Sequence, residues 1–179
     1  MKNLEGKLLA LRVIEPWAVE IMRQLYHSTK PWLEVSEPLP SRTIEEQQAW
    51  WNDMPHPKIA HLYTPVEEPL NFVAFSIVQR KGNFNTPIFG IHPAYHRRGY
   101  GEVILHHYLE VADGPLAGSD KLTNGAIIKL NDRNGWKVID VDDKGVRKLF
   151  HPGVHDDRQQ EIYDEICRYH GYHTGDNYQ

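Results

Sequence analysis

The stretch that most constrains this chain is residues 88–101, IFGIHPAYHRRGYG. A short apolar run, Ile88, Phe89 and Ile91, meets a corner at Pro93. The basic, glycine-punctuated turn His96-Arg97-Arg98-Gly99-Tyr100-Gly101 follows, and an amphipathic run starts directly behind it at Glu102. Strand, glycine-rich turn and helix in that order aim several backbone N–H groups at one place, with the positive end of the helix dipole behind them. Such a turn is an anion site, and a phosphate or pyrophosphate suits it best. The plainer alternative is a solvated basic loop that caps a helix.

What the anion belongs to is bounded first by the bulk of the chain. Its 179 residues, 40% hydrophobic and 25% charged, suffice for one domain with a sizeable core. A net charge of -4 weighs against a protein whose work is gripping nucleic acid, although a modified base remains open as a substrate. The single cysteine, Cys167, excludes an intrachain disulfide and fits a reducing compartment. It falls on a candidate amphipathic helix, where buried filler is its expected role. No apolar run approaches membrane-spanning length, and the apolar part of the N-terminus is short for a signal peptide. The expectation is a soluble, cytoplasmic protein with no membrane partner. Histidines are frequent, but His106 and His107 are adjacent and diverge on a helix, and His151, His155, His170 and His173 have no accompanying cysteine or H-E-x-x-H pattern. No metal is expected.

In chain order, residues 7–14 read as a first strand closed by Glu15-Pro16, and Trp17, Ala18, Ile21, Met22 and Leu25 then recur at helical spacing. Core packing is the default for Trp17. Residues 28–41, with Pro31, Pro38 and Pro40, read as loop, and Trp32 sits in it. Thr43 and Glu46 fit a capping box for a helix running to Asn52, of whose Trp50 and Trp51 only one can face inward. Residues 58–64, 71–80 and 86–92 predict a three-stranded antiparallel meander. The glycine turn and its helix, 101–111, come next, then a short strand at 116–122 and a helix at 123–134 stopped by Gly135. Residues 136–141 and 146–150 flank Asp142-Asp143-Lys144-Gly145 as a hairpin. Ile162, Ile166 and Tyr169 share one face of a last helix, 156–170, expected to dock on the domain or on a partner.

With this order of elements, two blocks resemble the GNAT-type N-acetyltransferase superfamily. The first, IHPAYHRRGYG, is similar to its pyrophosphate loop, Q/R-x-x-G-x-G/A after a strand ending V/I-x-P: His96 takes the Q/R position, and Gly99 and Gly101 match. The second, NGAIIKLNDRNGW at 124–136, is similar to N-x-x-A-x-x-L-Y-x-x-x-G-F: Asn124, Leu130, Gly135 and Trp136 fall in register, and Ile127 replaces the small residue. The segment TIEEQQAWW also resembles members that acetylate aminosugars or protein termini.

The resemblance implies an α/β (α+β) fold: one domain over residues 1–153, with a mixed, mostly antiparallel sheet of about seven strands, flanking helices and a splay at the motif strand. A helical extension, 154–179, follows. It further implies acetyl-CoA as co-substrate, with His96, Arg97, Arg98, Gly99, Tyr100 and Gly101 on the pyrophosphate, the ribose 3′-phosphate remaining open as a further target of Arg97 and Arg98, Ile91 on the pantetheine arm, and Asn124 and Asn131 at the thioester end. The acceptor would be a primary amine of a small molecule, sugar, nucleotide or peptide, attacking the thioester directly. Where the pattern has a tyrosine, often the acid for the departing thiolate, this chain has Asn131. A carboxamide can donate a hydrogen bond but cannot act as an acid. That departure keeps open a degenerate, non-catalytic acyl-CoA-binding module or a partner-docking protein, and for Asn131 an exposed helical asparagine is the bland alternative. The general base is not fixed by spacing: His92 has a suitable ordinary pKa, and His61, Glu67 and Glu68 are further candidates. Oligomeric state is left open, a homodimer included.

Overall fold

A computed structural model describes residues 1–13, 15–29, 42–54, 59–112, 114–152 and 159–171. Ile14, the proline-rich run with Trp32, residues 55–58, His155 and His173 lie outside the described residues.

Among the described residues the sheet has eight strands, in the order β1-β2-β3-β4-β5-β6-β8-β7. Strands β1 (Lys2–Leu4) and β2 (Leu8–Arg12) form an N-terminal hairpin that the sequence reading lacked. Their turn takes Glu5 at φ 52° and Gly6 at φ 68°. The expected first strand therefore starts one residue later, and the strand count is eight rather than about seven. A three-residue strand with Lys2 and Asn3 exposed carries too little alternation to be seen. The expected meander is present as β3 (Ile59–Pro65), β4 (Ala74–Lys81) and β5 (Phe84–Ile91), all antiparallel.

Helix α1 (Pro16–Thr29) starts on a proline, whose missing N–H costs nothing in the first turn, and buries Ala18, Val19, Met22 and Leu25. Helix α2 (Ile44–Asp53) opens with the expected box: Glu46 N donates to Thr43 Oγ1 at 3.2 Å, and Thr43 N donates to Glu46 Oε2 at 2.8 Å. Trp51 is the inward tryptophan of its pair. Trp17 is not core: it stays 51% exposed, its ring 6.2 Å from that of Phe72. These two helices cover one sheet face over Leu62, Phe75 and Ile77.

Helix α3 (Tyr100–Ala112) covers the other face, burying Val103, Ile104, Leu105 and Tyr108. It returns the chain to β6 (Leu116–Lys121), which runs parallel to β5. Helix α4 (Gly125–Arg133) is shorter than expected because Asn124 serves as its cap, its Oδ1 accepting from Ile127 N at 3.2 Å. Strands β7 (Lys137–Val141) and β8 (Val146–His151) close the sheet as the expected hairpin. Helix α5 (Gln159–Tyr169) packs Ile162, Ile166 and Cys167 against Phe84, Ala117, Ile139 and Phe150, so the lone cysteine is buried filler. Among the described residues, no helix is long and apolar enough to cross a membrane.

Candidate active site

The site follows from a failure of strand pairing. Strands β5 and β6 meet only at Asn85↔Leu116 among the described residues. Asn85 clamps that closed end, its N–H donating to Pro115 O and its Nδ2 to Ala112 O, both at 2.9 Å. Beyond it the strands part. A cleft of about 660 Å³ opens between residues 87–91 of β5 and Gly118, Ser119 and Asp120 of β6. The glycine turn, the start of α3 and one side of α4 complete its wall. On the cleft side, β5 beyond Asn85 has backbone groups that β6 does not take up.

The turn reaches α3 through a 3-10 turn, Pro93–Tyr95. His96 Nε2 lies 2.9 Å from Ile91 O. A carbonyl can only accept, so Nε2 carries the proton, and the ring ties the turn to the end of β5. Arg97 at φ 64° and Gly99 at φ 77° are left-handed, which curls successive amides into a concave nest at the head of α3. A left-handed arginine is a strained conformation of the kind that clusters at functional sites. Arg97, Gly99, Tyr100 and Gly101 all line the cleft, as do Ile91 and His96. Arg98 is not among the lining residues: its guanidinium stacks 4.6 Å over the Tyr95 ring.

Asn124 and Asn131, twelve and five residues before Trp136, both reach the cleft from α4 and its cap. Asn131 is not an exposed helical residue but is buried, and its Nδ2 donates to Asp120 Oδ2 at 2.9 Å. The same carboxylate accepts Arg147 Nε at 2.7 Å and Nη2 at 2.8 Å, a bidentate pair, while Arg147 Nη1 donates to Asp132 at 2.9 Å. The bond to Asp120 raises the Arg147 pKa above its already high value. This network was missed because Asp120 and Arg147 sit in strands read only for their apolar alternation.

None of the base candidates lines the cleft. His92 stands at the end of β5 and accepts from Ala94 N at 3.3 Å, capping the turn. His61 is buried under α3, its ring 4.6 Å from that of His107; burial first, then His107, pulls its pKa down to about 4. Glu68 accepts Asn71 Nδ2 at 2.6 Å and the Tyr95 hydroxyl at 3.0 Å, and the Asn71 bond holds its pKa low. Glu67 faces the Tyr100 hydroxyl at 3.5 Å. Sequence reasoning also missed Lys7, at the foot of the N-terminal hairpin, whose Nζ lies 3.7 Å from where a Cβ on Gly99 would stand. The Glu5-Gly6 turn before it was the available signal. Among the described residues, no three His, Cys, Asp or Glu side chains gather as a metal site.

No protein-family model matches the sequence, and no curated protein does. Solved structures do match in shape. The spermidine N-acetyltransferase from Vibrio cholerae in complex with CoA and spermine superposes with a TM-score of 0.67 at 10% identity, over 83% of this chain and 97% of that one. A Salmonella typhimurium protein solved with its cofactor acetyl-CoA gives 0.68 at 12% identity, over 84% and 96%. The ribosomal-protein-S18-alanine N-acetyltransferase from Escherichia coli gives 0.62 at 14%, over 83% and 96%. With the splayed parallel pair, the glycine turn at the head of α3 and the α4 wall in their expected order, the chain has the fold of the GNAT-type N-acetyltransferases.

Proposed function

We propose that this protein is an acetyl-CoA-dependent N-acetyltransferase acting on a primary amine. The observation that carries the reading is the cleft between β5 and β6, closed at Asn85 and headed by the left-handed Arg97 and Gly99. Its features fit an acyl-CoA. The first-turn amides of α3 and the Arg97 guanidinium suit a pyrophosphate. The edge of β5 beyond Asn85, which β6 does not pair, offers backbone groups to the amides of a pantetheine arm. Phe89, Ile91, Ile127 and Leu130 give that arm apolar walls.

Acetyl-CoA supplies an activated acyl group: the acceptor nitrogen bonds to its carbonyl carbon as the carbon–sulfur bond breaks, and the nitrogen's proton goes to water while the thiolate is released. The chain orients the reactants and shields them between the two strands. Asn131, with one amide hydrogen taken by Asp120, would have the other left for the thioester end but has no proton to give as an acid. Proton removal from the acceptor falls to cleft water in this reading, since His92 caps its turn. The spermine held by the Vibrio cholerae neighbour supports an amine acceptor without naming the one used here. A cytoplasmic setting, where acetyl-CoA is available, suits a chain with one buried, unbridged cysteine.

The tied carboxamide favours a second reading, an acyl-CoA-binding module without turnover. A thiol-release assay with acetyl-CoA against small amines, aminosugars, nucleotides and peptide N-termini separates the two. Release of CoA with one acceptor class is expected. Tight acetyl-CoA binding with no release across the panel would sink the first reading in favour of the second.

A further inference from the structure

Lys7 belongs to neither motif, yet the fold brings it to the glycine turn. Its backbone is held on both sides: its N–H donates to Leu4 O at 3.0 Å, and its carbonyl accepts from Val66 N at 3.1 Å. The side chain is exposed, and its Nζ lies 3.7 Å from the Cβ position of Gly99, beside the head of α3. The hairpin that carries it is fastened along α3. Lys2 Nζ meets Glu110 Oε1 at 2.6 Å, and Glu5 Oε1 meets His106 Nδ1 at 3.1 Å. His106 Nε2 in turn lies 2.9 Å from Asn134 Oδ1, just past α4. The hairpin is therefore tied to α3, whose His106 in turn reaches the residue that follows α4.

The charge count at the turn gives Lys7 its purpose. A pyrophosphate presents two negative charges. Of the two arginines of the turn, Arg97 lines the cleft; Arg98, stacked on Tyr95, and Lys7 both stand outside the lining at its edge. One guanidinium and a helix terminus leave part of that charge unmatched. An ammonium on a flexible stem, anchored at its backbone and standing beside Gly99, supplies a second positive charge from outside the motif. We infer that Lys7 is a ligand of the acyl-CoA pyrophosphate, so that the N-terminal hairpin is part of the co-substrate site. The inference rests on the acyl-CoA reading above.

Calorimetric titration of the full chain with CoA and with 3′-dephospho-CoA tests it. Lys7→Met is expected to weaken both ligands about tenfold, and the loss should shrink as salt is raised. Lys7→Arg keeps the charge and should stay within about threefold of the parent. Lys2→Met removes a hairpin cation that pairs with Glu110, and should leave both affinities unchanged. Unchanged CoA affinity in Lys7→Met would overturn the inference, as would an equal loss in Lys2→Met, which would point to hairpin order instead of charge. A loss for CoA but none for 3′-dephospho-CoA would assign Lys7 to the ribose phosphate and overturn the pyrophosphate assignment. If the parent chain binds neither ligand, the acyl-CoA reading falls first. That result differs from a parent that binds and a Lys7 variant that binds equally well.

Discussion

Asn131 donates a hydrogen bond to Asp120 across 2.9 Å, and both side chains are buried at the floor of the cleft. Asp120 also takes two bonds from Arg147, so the amide is the minor partner of a buried ion pair. The two kinds of loss should differ. Asn131→Ala leaves the carboxylate with its guanidinium and is expected to cost about 1–2 kcal/mol. Arg147→Met strands a buried carboxylate and should cost about 3–5 kcal/mol. Urea denaturation of the two variants gives the comparison. Equal losses would mean that Arg147 holds Asp120 no more firmly than the amide does.

Gly99 stands at φ 77°, and a Cβ there would meet the Lys7 ammonium at 3.7 Å. A side chain there meets backbone strain of about 1 kcal/mol but no steric wall. Gly99→Glu should therefore keep the fold while placing a carboxylate in the nest meant for phosphate oxygens. Acetyl-CoA affinity is expected to fall by at least about a hundredfold, with circular dichroism unchanged. Unchanged affinity would put the anion site elsewhere.

Stability should fall in mild acid, and His61 gives the sign. Its folded pKa is near 4, below the ordinary histidine value, because burial disfavours the imidazolium. Its Nδ1 finds no partner among the described residues. The unfolded chain thus binds the proton more readily: stability is full above about pH 6.5 and drops as pH falls toward 4, by about 2 kcal/mol between pH 7.5 and 5. His170, also lowered to about 4 by burial, acts in the same direction. His106, raised by Glu5, acts in the opposite one, but both partners are about half exposed and the effect is small. His61→Leu should flatten the acid limb of a pH series of urea midpoints. An unaltered slope would assign it to other groups.

What was legible in the sequence was whatever local chemistry dictates. The Thr43–Glu46 box, the Pro16 start, the Asp142–Gly145 turn and the glycine turn are each written in a few neighbouring residues. The splay was not readable from β5 or β6 themselves; only the resemblance implied it, because a strand that stops pairing looks like one that continues. Lys7, Asp120 and Arg147 were invisible for a related reason. Each acts through a partner distant in the chain: Gly99 for the first, and for the others one another across 27 residues. Asn131 was legible as a departure from a pattern, but its burial depended on Asp120 lying opposite. Trp17 was misread because helical spacing identifies a stripe without saying where the stripe outruns the sheet it covers.

Gly118 and Trp136 pack closely in the cleft wall. A Cβ on Gly118 would stand 2.9 Å from Cζ3 of the indole and 3.2 Å from Cη2. Gly118 cannot retreat, because β6 is laddered to β8 with Gly118 opposite Leu149. The indole is boxed in on another side by His151, ring centroids 5.4 Å apart, and its Nε1 has no hydrogen-bond partner among the described residues. Gly118→Ala should therefore cost about 1–3 kcal/mol by overpacking, and weaken acetyl-CoA binding by displacing a wall residue. Trp136→Phe removes the atoms in conflict and forfeits no hydrogen bond. Made in the Gly118→Ala background it should restore part of the lost stability, giving a favourable coupling of about 1 kcal/mol or more in a double-mutant cycle read by urea denaturation. Additive losses would show that the indole escapes the new methyl group by a route other than the cleft, and acetyl-CoA affinity in Gly118→Ala would then match the parent.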